Sequence, residues 1–202
     1  MNVRRMRVLV SVVLGLLALG GTLALLGAWD GGPGMVYAQS GTGVIRVSTT
    51  GTDAVGCGGV TPCRTIQYAV DQALPGEEIR VAQGTYTGVS ARSGMTQVVY
   101  ISKTVTIRGG YTPANWTTPN PDANLTTVDA QSMGRVLVIS GTITPHIEGL
   151  RITGGNSQLA DLISPPEHRG AGGVLAMYAA ATISNCHVSG NNAAPGSGGG
   201  LF

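Results

Sequence analysis

The chain has 202 residues, 32 of them Gly, with 11 % charged and 4 % aromatic residues. So low a charged fraction, against about a quarter in ordinary soluble domains, argues against a compact mixed α/β enzyme, and the abundant Val, Ile and Leu argue against disorder. From Gln39 onward nine basic residues (eight Arg and Lys103) face nine acidic ones, so no basic surface remains for a phosphate backbone and nucleic acid is excluded as a partner.

The formal charge of +2 resides at the N-terminus, where Arg4, Arg5 and Arg7 precede an almost continuously apolar run, Val8 to Trp29. Gly31-Gly32-Pro33-Gly34 then breaks any helix, and Val36-Tyr37-Ala38 supplies the small-x-small pattern of a cleavage site. Residues 1–38 therefore read as a signal peptide cut before Gln39. The run is 22 residues long, beyond the usual apolar stretch of about 7–15 and enough to span a bilayer, so an N-terminal membrane anchor is the alternative. Either way the rest is expected outside the cytoplasm, extracellular or at the cell surface, touching a membrane only through this segment. No Cys follows the run closely, which argues against a lipoprotein.

Gly43 to Ser48 is a β-branched run and reads as a first strand. The loop Thr49 to Cys63 holds Cys57 and Cys63, with Gly56, Gly58, Gly59 and Pro62 to turn the chain. An exported chain permits a disulfide between them; the rival, a metal site, lacks further thiols or nearby His. Ile66, Ala69, Val70, Ala73 and Leu74 fall on one helical face, predicting a helix over Thr65 to Leu74 that Pro75-Gly76 stops. Strand character follows at 78–82, 98–101, 105–108, 136–139, 147–152 and 183–188. Tyr111 to Asp122, rich in Pro, Asn and Thr, reads as a protruding loop, and Ser157 to Arg169 as a second insertion. Cys186 reads as a buried thiol at an apolar strand position.

Internal repeats organise these strands. Val105-Thr106-Ile107-Arg108-Gly109-Gly110 matches Leu150 to Gly155, and both match Cys186 to Asn191. Ile147-x-Gly149-Leu150 matches Ile183-x-Asn185-Cys186, and Gly170 to Leu175 matches Gly196 to Leu201 at an offset of 26 residues. Such units fit one coil of a solenoid: alternate side chains point into a narrow core, and Gly or Asn takes the positive-φ corners. Asn at one corner of successive coils can stack on its neighbours. A solenoid end exposes an apolar cross-section, and the amphipathic helix suits a cap.

Pro62-Cys63-Arg64-Thr65-Ile66-Gln67-x-Ala69-Val70, Pro75-Gly76-Glu77-Glu78-Ile79 and Gly84-Thr85-Tyr86 together resemble the N-terminal cap and first coil of right-handed parallel β-helix proteins of the pectate-lyase-like superfamily. Val188-Ser189-Gly190-Asn191 followed by Gly198-Gly199-Gly200-Leu201 resembles the repeats of polymorphic outer-membrane proteins, with Val188 in place of the usual Phe. The fold expected is all-β: a right-handed parallel β-helix with a short capping helix, divided into 39–90 (cap and first coil) and 91–202 (coils with insertions at about 111–124 and 157–169). Phe202 falls within a repeat, so a fragment of a longer protein is expected.

The superfamily includes polysaccharide lyases and hydrolases, which need clustered or paired carboxylates and a base. Here Glu77-Glu78 is placed in a turn, and Asp122, Asp129 and Asp161 in or beside loops. Lys103 and Arg108 flank one strand as two anion contacts or, on the plainer reading, solvated charges. His146, His168 and His187 read as lone surface histidines. No catalytic, cofactor-binding or metal set is assigned, and no cofactor is expected. Tyr111 and Trp116 on the projecting loop form the candidate ligand contact, able to stack on a sugar ring or partner, unless Trp116 folds back over the coil. The function expected is a structural, adhesive or glycan- or protein-binding scaffold, its partners carbohydrate or a cell-surface protein. The alternative is a polysaccharide lyase or glycoside hydrolase with catalytic coils beyond this chain.

Overall fold

The computed structural model describes residues 43–158, 170–193 and 198–202. The first strand, β1 (Val44–Val47), buries Ile45 and Val47 and turns Val44 and Arg46 outward. The loop after it returns alongside: Ser48 N–H donates to the Cys63 carbonyl at 2.9 Å, and Cys63 N–H to the Arg46 carbonyl at 2.9 Å. Cys57 and Cys63 are joined as a disulfide, their Cα atoms 4.9 Å apart. Gly58, at φ +100°, passes so close to Ile45 that a Cβ there would meet its Cγ2 at 2.5 Å, which explains why a side chain is missing at that turn.

The helix α1 (Ile66–Gln72) starts where Thr65, in extended conformation, accepts a hydrogen bond from Tyr68 N–H on its hydroxyl at 3.2 Å, an N-cap. It ends at Ala73, whose ψ of 140° is extended, two residues before Pro75, which cannot continue a helix. Lys103 Nζ then donates to the carbonyls of Val70, Asp71 and Ala73 at 3.1, 2.8 and 2.7 Å, satisfying last-turn acceptors that the helix leaves open. Ile66, Ala69, Val70 and Ala73 are buried as the periodicity predicts. Leu74 is not: it lies past the helix end, 49 % exposed, because the chain has already left the helical path.

Twelve more strands follow: β2 (Glu78–Ala82), β3 (Gly84–Tyr86), β4 (Ser90–Arg92), β5 (Met95–Ile101), β6 (Thr106–Tyr111), β7 (Thr126–Asp129), β8 (Arg135–Ser140), β9 (His146–Glu148), β10 (Arg151–Thr153), β11 (Val174–Met177), β12 (Thr182–Ser184) and β13 (His187–Val188). They form three sheets, ordered β1-β2-β6-β9-β12, β3-β7-β10-β13 and β4-β5-β8-β11. The pairings between these strands are parallel, apart from antiparallel β4–β5. Among the described residues the protein is thus mostly β, with one helix and three mostly parallel sheets. From β5 onward the chain visits the third, first and second sheets in rotation: β5, β6, β7, then β8, β9, β10, then β11, β12, β13.

Register places like residues above one another. In the first sheet Ile45, Ile79, Ile107, Ile147 and Ile183 align. The second sheet aligns Tyr86, Val128, Ile152 and Val188, and the third Val99, Leu137 and Val174. All of these belong to, or pack against, one hydrophobic cluster. Met95, Val138 and Leu175 form a second, smaller cluster.

Several expectations need correction. The runs 147–152 and 183–188 are each two strands in different sheets, β9 with β10 and β12 with β13, bent at Gly149 (φ +67°) and Asn185 (φ +50°). Cys186 therefore sits in a turn, half-buried, rather than within a strand. The match of 105–110 to 150–155 is not a structural equivalence, because Ile107 pairs with Ile147 in the first sheet while Ile152 pairs with Val128 and Val188 in the second. The Gly-rich match is displaced by one: Val174 bridges Leu201, an offset of 27. Asn191 serves its corner by bonding backbone, accepting from Gly155 N–H at 2.8 Å and donating to the Ile152 carbonyl at 2.9 Å. Strands β3, β4, β7 and β11 were not expected. Most of the insertion at 157–169 lies outside the described residues, as does 8–29; among the described residues no helix is long and apolar enough to cross a membrane.

Candidate functional site

The residues on either side of each core Ile in the first sheet point outward. One row runs Val44, Glu78, Thr106, His146, Thr182, and the other Arg46, Arg80, Arg108, Glu148, Ser184. Adjacent strands lie about 4.8 Å apart, so three guanidinium stems are stacked at one-strand spacing, an arrangement that repels unless it is compensated.

Two carboxylates supply the compensation. Glu78 accepts from Arg80 Nη2 at 2.9 Å and from Arg108 Nη1 at 3.0 Å. Glu148 accepts from Arg108 Nε at 2.7 Å. The hydrogen bond from Arg108 holds the Glu148 carboxyl below its ordinary range and raises the Arg108 guanidinium in turn. Arg46 has no carboxylate partner among the described residues; its guanidinium lies 5.8 Å from the centroid of the Trp116 ring and donates to the Gly59 carbonyl at 3.3 Å. Arg80 stands 5.5 Å over the Tyr111 ring, and its Nη1 donates to the Trp116 carbonyl at 2.5 Å. Three Arg against two Glu leave this face one positive charge in excess, centred on Arg46 and Trp116.

The expected projecting pair is rearranged. Tyr111 is the last residue of β6 and 1 % exposed, so it offers no ring face to a ligand. Its hydroxyl donates to Glu78 at 3.3 Å, and burial pushes its phenol upward. Trp116, half-buried, stacks on it with ring centroids 6.2 Å apart. The loop 112–125 folds back because Asn120 N–H and Asn124 Nδ2 both donate to the Gly110 carbonyl, at 2.7 and 2.9 Å. Gly110 is at φ +87°, and a Cβ there would meet Pro121 N at 2.6 Å. Of the two loop aromatics, Trp116 alone retains exposure.

His146 and Ser184 approach each other on the same face, Ser184 Oγ lying 3.1 Å from His146 Nε2. Glu148 Oε2 lies 3.6 Å from that same nitrogen. A nucleophile relay needs the hydroxyl on one imidazole nitrogen and the carboxylate on the other; here both lie on the side of Nε2, and Ser184 alone is within hydrogen-bond distance of it. Lys103 is the helix cap described above and stands apart from Arg108. Glu78 heads a strand instead of sitting in a turn, and His146 is the first residue of β9. Asp129 accepts from Gln131 N–H at 2.8 Å, a turn contact, while Asp122 and His187 are exposed. Asp161 and His168 lie outside the described residues. Among the described residues no three His, Cys, Asp or Glu side chains are grouped to hold a metal ion.

Sequence reasoning missed Arg46, Arg80 and Glu148. A signal was present: Ile45-Arg46, Ile79-Arg80, Ile107-Arg108, Ile147-Glu148 and Ile183-Ser184 repeat one dipeptide frame, a core Ile followed by a polar residue that must face outward. No family model matches the chain, and no curated protein or solved structure is significantly similar to it.

Proposed function

We propose that the chain is an exported right-handed parallel β-helix, extracellular or at the cell surface. In this reading it acts as a structural or adhesive scaffold and meets carbohydrate or a cell-surface protein on the outer face of its first sheet. The rotation of parallel strands through three sheets supports the winding, since crossovers between parallel strands are right-handed almost without exception. Helix α1 packs against β1, β2 and β5, where a cap would cover the core. The observation that carries the binding role is the half-buried Trp116 beside Arg46. Aromatic and Arg side chains together dominate recognition surfaces, and the rest of the charged face is internally paired.

The test is binding of the full chain to a glycan array and to whole cells, compared with Trp116→Ala and with the milder Arg46→Gln. A loss of at least about tenfold in both variants is expected, with folding checked by circular dichroism. Unchanged binding in the folded variants would remove this face from the reading. Release of reducing or unsaturated ends from polysaccharides would replace the scaffold by an enzyme.

A further inference from the structure

A cleft of about 400 Å3 lies between helix α1 and the segment from β3 to β4, away from the charged face. Its volume falls within the roughly 300–1,000 Å3 typical of small-molecule sites. Thr49, Thr85, Thr87 and Ser90 line it, with Tyr68 from the helix and Arg64 just before the helix. Ile66, Tyr86 and Val98 give it an apolar floor.

The polar groups divide into committed and uncommitted. Arg92 and Asp71 form a closed fork, Nη1 to Oδ1 at 2.8 Å and Nη2 to Oδ2 at 2.6 Å. At the helix start Asp53 Oδ1 accepts from the Arg64 and Thr65 N–H groups at 2.8 and 3.0 Å, and Thr65 Oγ1 accepts from Tyr68 N–H at 3.2 Å. The formal charges balance: Arg92 is paired with Asp71, and Arg64 stands beside Asp53, whose carboxylate takes its backbone N–H. The hydroxyls of Thr49, Thr85, Thr87, Ser90 and Tyr68 make no hydrogen bond among the described residues.

We infer that this cleft binds a neutral mono- or disaccharide. Each hydroxyl both donates and accepts, which matches a polyol whose own hydroxyls do the same. A balanced charge gives neither an acidic nor a basic ligand an advantage. The apolar floor suits the C–H face of a pyranose ring, and a site of a few polar groups over apolar walls is the usual form of a small-molecule pocket. The inference is independent of the outer-face role, since either surface can be occupied with the other empty.

The experiment is ligand-observed NMR on the full chain with glucose, galactose, mannose, cellobiose and lactose. Glucuronate and glucosamine serve as charged comparators, and the strongest neutral binder is then titrated. The expected result is saturable binding of at least one neutral sugar, weakened about tenfold or more by Tyr68→Phe with Thr87→Val, which removes two hydroxyls at nearly constant shape. The titration is repeated in the Trp116→Ala background, where the outer face is disabled, so that the saturable binding expected to remain there belongs to this site. Absence of binding up to the solubility limit, equal binding by the double variant, or preference for a charged sugar would each overturn the assignment. A chemical-shift map of the double variant matching wild type outside the cleft shows that the fold is kept. If the map shows the double variant unfolded, Thr85→Val and Ser90→Ala replace it under the same criterion.

Discussion

Glu148 and Cys186 show how single side chains are tuned by what lies one strand away. Glu148 takes the Arg108 guanidinium at 2.7 Å, and that contact lowers its carboxyl pKa. A group whose folded pKa is depressed stabilises the fold above its unfolded value, about 4.3 for Glu, and loses that contribution as pH falls through the folded one. Glu148→Gln is therefore expected to cost up to about 1 kcal/mol at pH 7. Its deficit should shrink steadily in urea titrations taken from pH 5 to pH 3; a pH-independent deficit would mean that packing, not charge, is what Glu148 contributes. Cys186 moves the other way. Its sulfur is half-buried beneath the preceding turn, accepts from Leu150 N–H at 3.5 Å, and burial raises its thiol pKa. Less thiolate is present at pH 8, so alkylation by iodoacetamide should run several-fold slower than for an unstructured cysteine, and the gap should close in denaturant.

At the scale of strands and corners, glycine decides how closely neighbouring segments approach. A Cβ on Gly172 would collide with the carbonyl oxygens of Asn192 and Gly155, both backbone atoms that cannot swing aside. One on Gly59 would meet nothing within 4 Å. Gly172→Ala should therefore destabilise by about 2 kcal/mol or more, while Gly59→Ala should stay within about 0.5 kcal/mol; paired thermal melts would check both, and equal effects would contradict the close approach. The same corners explain what the sequence made readable. Strands β1, β2, β5, β6 and β8 were legible because each carries a run rich in β-branched residues. Strands β3, β4 and β7 were not: β3 and β7 bury only one or two side chains each, and β4 buries none. The splitting of 147–152 had a signal in the spacing of its buried residues: Ile147, Leu150 and Ile152 are three apart and then two, and a step of three marks a bend where period two fails. The charged face was half legible. Arg108 was singled out, but only register showed that Arg46, Arg80 and Glu148 share its row, because the segments that bring them together are not adjacent in sequence.

Across the whole molecule, the row of five Ile residues in the first sheet ties together parts of the chain from position 45 to position 183. Ile107 lies between Ile79 and Ile147 and is 1 % exposed. Among the described residues Ile183 has Ile147 on one side only, and it is partly exposed. Deleting the same methyl groups at the two positions should thus have unequal consequences. Ile107→Ala leaves a cavity walled on both sides by neighbouring Ile and should cost about 3–4 kcal/mol. Ile183→Ala removes a side chain already partly hydrated and should cost about half that or less. Equilibrium denaturation of both variants in urea would measure the difference, with unchanged slopes confirming that the same surface unfolds. Equal costs would mean that the row is a coincidence of register rather than a continuous core. The predicted gradient of costs along the row would show burial increasing from the last strand inward, as required of a core built by stacking one segment on the next.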